Sequence, residues 1–170
     1  MGGVTELPAE PAEPGGSPLL PVEPGYRAVL RTRLVLTWLP LVVGATIFDN
    51  VLLDGTPYFG LPTIALLTLG TLSVVLAPPR LYRRLGYRLT DRLLQVVRGW
   101  MFHSDTVVPF VRVQHLDGTR GPIDKLFGTA TLVIHTAGTH NSVVTVPGLA
   151  PERAAEIRDV IREQVRTDFE

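Results

Sequence analysis

Residues 77–100 read APPRLYRRLGYRLTDRLLQVVRGW. Within this stretch an uncharged apolar run stops and two prolines follow. Arginines then gather at Arg80, Arg83, Arg84, Arg88 and Arg92, and an alternation with the period of a β-strand begins. A chain that changes character so abruptly is passing from one solvent to another, with a bilayer on the N-terminal side and water on the C-terminal side.

Upstream, residues 34–48 (LVLTWLPLVVGATIF) and 55–79 (GTPYFGLPTIALLTLGTLSVVLAPP) carry no charge. The second run exceeds the ~20 residues that cross a bilayer core; the first reaches that length only by borrowing its flanks. Arg31 and Arg33 can snorkel toward headgroups at one end, and Asp49 sits at a border position at the other. The expected spans are helices over about 30–50 and 57–77, with Pro78 and Pro79 ending the second. Pro40 implies a kink, and Trp38 reads as a packing or lipid-facing residue. Two helices apolar on all sides are too much for the rest of a 170-residue chain to cover, which argues against a soluble helical hairpin. Arg27, Arg31 and Arg33 precede the pair, the five arginines of the opening stretch follow it, and the loop between holds Asp49 and Asp54 but no base. By the positive-inside rule the protein is multi-pass with both termini cytoplasmic.

Composition agrees: 45% of residues are hydrophobic and only 19% charged. The formal net charge is zero, and the segment from Arg80 onward has an excess of only three positive charges, too few to argue for nucleic acid. Cysteine is absent, which removes disulfides, thiol nucleophiles and thiolate metal sites. Residues 1–25, with six prolines and five glycines, cannot bury enough surface to offset ordering and read as a disordered tail. They lack the basic and apolar regions of a signal peptide.

After Arg84 short segments rich in Val, Leu, Ile and Thr alternate with turn signals at Asp91–Arg92, His103–Asp105, residues 117–122 and residues 137–141. This is the pattern of an antiparallel, hairpin-connected sheet. The last helix, over residues 150–166, has Pro151 in its first turn and aligns Ala154, Ile157, Ile161 and Val165, with Val160, as an apolar stripe. The fold class is therefore membrane-anchored α+β: a two-helix transmembrane hairpin followed by a small antiparallel β barrel or sandwich, over residues 80–168, capped by a C-terminal helix.

The segments GYRLTDRLLQVVRG, VPFVRVQHLDGTRGPIDKLFGTATLVIHTAG and VPGL, in that order after two membrane helices, resemble the YdbS-like bacterial membrane proteins. The soluble part of that family is a bacterial pleckstrin-homology (PH) domain, also called the membrane-flanked domain. The resemblance rests on Arg112, Gln114 and His115 (RVQH), Gly121 and Pro122, Phe127 and Gly128 (LFG), and His135, Thr136 and Gly138 (HTAG). It implies a PH-like sandwich at the bacterial cell membrane and a neighbouring, larger membrane protein carrying the same domain.

From the residues themselves, Gly128 and Gly138 suit turns, Gly99 a bend, and Phe127 the core. Gln114 and His115, being adjacent, should face opposite sides of a strand. His103, His115, His135 and His140 have no spacing that would converge three ligands, so no metal or other cofactor is expected. No phosphate loop, GxSxG serine or carboxylate pair with a base is present, and no catalysis is expected. Three functions compete: an interaction module that binds a partner membrane protein or a second copy of itself, a sensor of anionic lipid headgroups through Arg80, Arg83, Arg84, Arg88 and Arg92, and an accessory subunit of a membrane enzyme or transporter.

Overall fold

The computed structural model describes residues 19–90, 92–99, 103–137 and 143–168. Helix α1 runs over Gly25–Leu52 and helix α2 over Leu61–Arg83, and both are long and apolar enough to cross a membrane. Each exceeds its expected length at the end nearest the sheets. In α1 the extra turn is fixed because Tyr26 and Val29 are buried in the core of the sheet domain. In α2 the helix continues through Pro78 and Pro79 to Arg83, contrary to the expectation that the prolines stop it. Each proline removes one helical N–H, but Pro78 is buried and Tyr82 packs against the same core, so tertiary contact holds the last turn. At the other end α2 starts at Leu61, later than expected, because Gly60 takes a left-handed φ of 83° and Pro62 occupies the first turn.

Two of the contacts that close the hairpin involve side chains singled out in the sequence. Trp38 packs on Gly70, where a Cβ would lie 3.2 Å from the indole, so small size at Gly70 permits the approach; Gly44 faces open space. Asp49, expected at a border, is only 2% exposed. Its Oδ2 accepts the Thr63 N–H at 3.2 Å, placing a carboxylate on an otherwise orphaned donor in the first turn of α2. Thr37, Thr46, Thr68, Thr71 and Ser73 donate their hydroxyls to the carbonyl four residues back, which satisfies them inside apolar surroundings.

The sheet domain has two antiparallel sheets. The first has the order β1 (Leu20–Pro21), β2 (Gly86–Leu89), β3 (Leu93–Gly99), β4 (His103–Pro109); the second has β5 (Val113–Thr119), β6 (Ala130–Thr136), β7 (Val143–Leu149). Strand β1 comes from the stretch expected to be tail. Leu20 and Pro21 pair with Tyr87 and Gly86, Val22 is 3% exposed, and the Glu23 N–H donates to the Gly148 carbonyl at 2.8 Å. Order at these positions comes from partners more than sixty residues away; residues 1–18 lie outside those described. The turn expected at His103–Asp105 is strand, since Gly99 pairs with His103, and residues 100–102 lie outside those described. The segment TVVPFVRVQHL is divided by a 3-10 turn at Phe110–Arg112, where the chain crosses from one sheet to the other. A short helix α3 (Pro122–Leu126) connects β5 to β6.

Helix α4 (Pro151–Asp168) closes the sandwich with Ala154, Ile157 and Ile161 buried against Leu94, Phe110, Leu132 and Ile134. The spacing 154, 157, 161, with Val165 partly buried, keeps one apolar stripe inward. Val160 lies off that stripe and is 40% exposed, unlike the expectation that grouped it with the core face.

Candidate functional site

The junction between hairpin and sheets is built from residues that attach one to the other. Arg33 of α1 donates Nη2 to Asp124 Oδ2 at 3.0 Å, and the buried Asp124 also accepts the Thr129 hydroxyl on Oδ1 at 3.1 Å. Two turns earlier, Gly25 lies so close to the Phe127 carbonyl that a Cβ would come within 2.6 Å of it. The Arg27 guanidinium sits 4.0 Å over the Tyr82 ring of α2. Because Asp124 is buried while Arg33 is half-exposed, removing the cation strands a carboxylate in the protein interior. Arg33→Met is expected to cost about 2–3 kcal/mol, below the fully buried range because of solvent on the arginine side. Asp124→Asn in the same background should recover part of that loss. A double-mutant cycle by chemical denaturation of the detergent-solubilised chain measures it, and additive effects would contradict the pairing.

The family-motif residues separate into two groups. Gly121 caps α3 with Pro122 in its first turn, Phe127 packs partly on the core, and Gly128 turns the chain with a φ of 64°. These four shape the α3 loop that receives α1. Arg112, Gln114, His115 and His135 face outward, Thr136 is half-buried, and Gly138 lies outside the described residues. Gln114 and His115 are both exposed, contrary to the expectation of one in and one out. The register between β5 and β6 shifts between Val113 and His115, and that bulge turns consecutive side chains to the same side. His115 stands opposite His135 in the ladder, and Asp117 lies against both: 3.0 Å from His115 Nε2 to Oδ1 and 3.6 Å from His135 Nε2 to Oδ2. Among the described residues no group of three His, Asp or Glu side chains could hold a metal ion.

The five arginines of the opening stretch do not form one patch. Arg80, Arg83 and Arg84 are exposed in and just past the last turns of α2, and Arg80 Nη1 donates to the Leu76 carbonyl at 3.3 Å. Arg88 belongs to β2 and donates to Gln95 Oε1 at 3.3 Å; Gln95 in turn donates to Asp105 at 2.7 Å. Arg92 is exposed in the turn beyond β2. A sixth arginine is better placed to bind something. Arg98 of β3 reaches across to the second sheet, donating Nη2 to Thr145 Oγ1 at 2.6 Å. Burial pushes its pKa down, partly offset by the nearby Tyr26. The signal was present in LLQVVRG: Leu94 and Val96 point inward, and the two-residue period puts Arg98 on their face.

Two antiparallel sheets closed by a C-terminal helix and set on an apolar helical hairpin define a membrane-anchored PH-like sandwich. Residues 34–165 match the family model described as Bacterial PH domain, and the chain belongs to that family. It is similar to the UPF0699 transmembrane protein YdbS of Bacillus subtilis (strain 168), with 32% identity over 99 residues that make up 58% of this chain. The chain spans 60% of that relative's length. No solved structure matches it. The protein is thus a membrane protein with a bacterial PH domain, and the core residues Val22, Tyr26 and Val29 lie before the matched segment.

Proposed function

We propose that the protein is a non-catalytic interaction module, multi-pass with both termini cytoplasmic, whose PH-like domain engages a partner membrane protein or a second copy of itself at the cytoplasmic face. The observation that carries this reading is the attachment of the domain to its anchor. Val22, Tyr26 and Val29, before and within α1, share one core with Leu132 and Ile157 of the sheet domain. A domain held this way keeps a fixed orientation at the bilayer. Rigid presentation lowers the ordering cost of docking against another membrane-held surface.

Pairing of β1 with β2 supports placing both ends of the hairpin on one side, and the arginines at those ends support the cytoplasmic side. Edge strand β4, with Val107 half-exposed, and the outward row of Gln114, His115 and His135 offer surfaces for a partner. The test is mass spectrometry of the chain extracted with its surrounding native membrane. A stoichiometric second membrane protein, or a mass corresponding to two or more copies, is expected. A single copy accompanied by lipid alone would refute the proposal.

A further inference from the structure

Where α2 ends, two adjoining pockets lie between the hairpin and the sheets, taken together as the two lobes of one cleft. One, with a volume of about 450 Å³, lies between the exposed Arg83 and Arg84 and an apolar wall of Leu19, Leu20, Leu85 and Val97. The other, about 240 Å³, has Tyr26, Leu30, Leu81 and Pro147 around Arg98. Leu85 and Gly99 line both lobes, which makes them neighbours.

Three features describe what fits. Arg98 follows two core side chains on an inward row, and among the described residues its one side-chain hydrogen bond goes to a neutral hydroxyl. Among the described residues no carboxylate pairs with it, and this half-buried cation has no counter-ion there. The rest of the wall is largely hydrocarbon, which a small soluble anion cannot cover. Arg83 also stands only about 9 Å along the helix from Ala77, the last residue of the uncharged span before the prolines, at 1.5 Å per residue. The cleft therefore opens at the level where headgroups meet acyl chains.

We propose that this cleft binds an anionic phospholipid, with the phosphate held by Arg98 and Arg83 and the glycerol and upper acyl segment lying against Leu85 and Leu20. Such a ligand supplies the missing negative charge and covers the apolar wall together. This differs from a diffuse attraction of interfacial arginines to the membrane surface, which would not depend on a residue inside the sheet domain.

The test uses the full chain reconstituted with phosphatidylcholine and phosphatidylglycerol, then extracted into mild detergent for native mass spectrometry, which counts lipid on monomers and on any assembly separately. The wild-type chain is expected to retain phosphatidylglycerol in preference to phosphatidylcholine. Arg98→Gln should lower that retention roughly tenfold, the scale of one charge-assisted hydrogen bond. Arg98→Lys should retain most of it, and Arg80→Gln, outside the cleft on the same helix, should leave it unchanged. Equal losses in Arg80→Gln and Arg98→Gln would reduce the effect to surface charge and overturn the proposal. On the unmutated chain alone, equal retention of the two lipids would overturn it, as would displacement of phosphatidylglycerol by excess inorganic phosphate. Those two readouts hold even if a variant fails to fold.

Discussion

Gly148→Ala is expected to destabilise the sheet domain by about 2–5 kcal/mol, the sum of a left-handed backbone penalty and overpacking in a dense core. Gly148 has a φ of 74°, which side chains other than glycine tolerate poorly. A Cβ there would also lie 2.6 Å from Cγ and 2.8 Å from Cβ of Tyr26, which is 7% exposed and anchored at the start of α1. Neither partner can retreat, because the Gly148 carbonyl accepts the Glu23 N–H at 2.8 Å and ties the same two segments together. Scanning calorimetry in detergent should show a fall in Tm of roughly 5–15 °C. Gly128→Ala is the control. Its φ is 64°, yet no atom lies within 4 Å of the added carbon, so only the backbone part, about 1 kcal/mol, should be lost. Equal shifts for the two variants would show that contact with Tyr26 is unimportant.

Phe110→Ala should cost about 3–5 kcal/mol, the range for removing a buried aromatic ring. Phe110 is 1% exposed and begins the 3-10 turn that carries the chain from β4 to β5. Its N–H donates to the Arg92 carbonyl at 3.0 Å, which fixes the backbone around the ring and limits collapse into the space it leaves. The next residue gives the contrast: Val111 is 64% exposed, and Val111→Ala should stay within about 0.5 kcal/mol of wild type. Denaturant titration followed by near-ultraviolet circular dichroism measures both. A loss below about 1 kcal/mol for Phe110→Ala would mean that the sheet crossover is not packed as described.

The parts of this structure that were legible in the sequence are those specified by composition and short-range period. Uncharged runs announced α1 and α2, and the 154, 157, 161 spacing announced the buried face of α4. The parts that were not legible depend on partners distant in the chain. Leu20 and Pro21 look like tail until Tyr87 and Gly86 pair with them, and Pro78 and Pro79 look like a helix stop until Tyr82 is docked on the core. The outward exposure of both Gln114 and His115 depends on one register shift, which alternation alone does not announce. For the candidate sites, the motif residues were found but their grouping was not, since Asp117 joins His115 to His135 only through the ladder. Arg98 could have been found, as a base on an inward-facing strand position; the Arg33–Asp124 pair, 91 residues apart, could not.

The sharing of one core by Val22, Tyr26, Val29 and Ile157 bears on how the chain is made. The ribosome releases the first three long before Ile157, and in the proposed multi-pass topology the hairpin is threaded into the bilayer in between. The sheet domain therefore cannot complete its interior until insertion is over and α4 has emerged. A chain in which only one of the two helices crossed would leave residues 22–29 across the bilayer from the sheets they complete. Such a chain keeps a hole in its core and an exposed apolar face that a quality-control protease can recognise. Folding of the domain would then act as an inspection of how its own anchor was inserted.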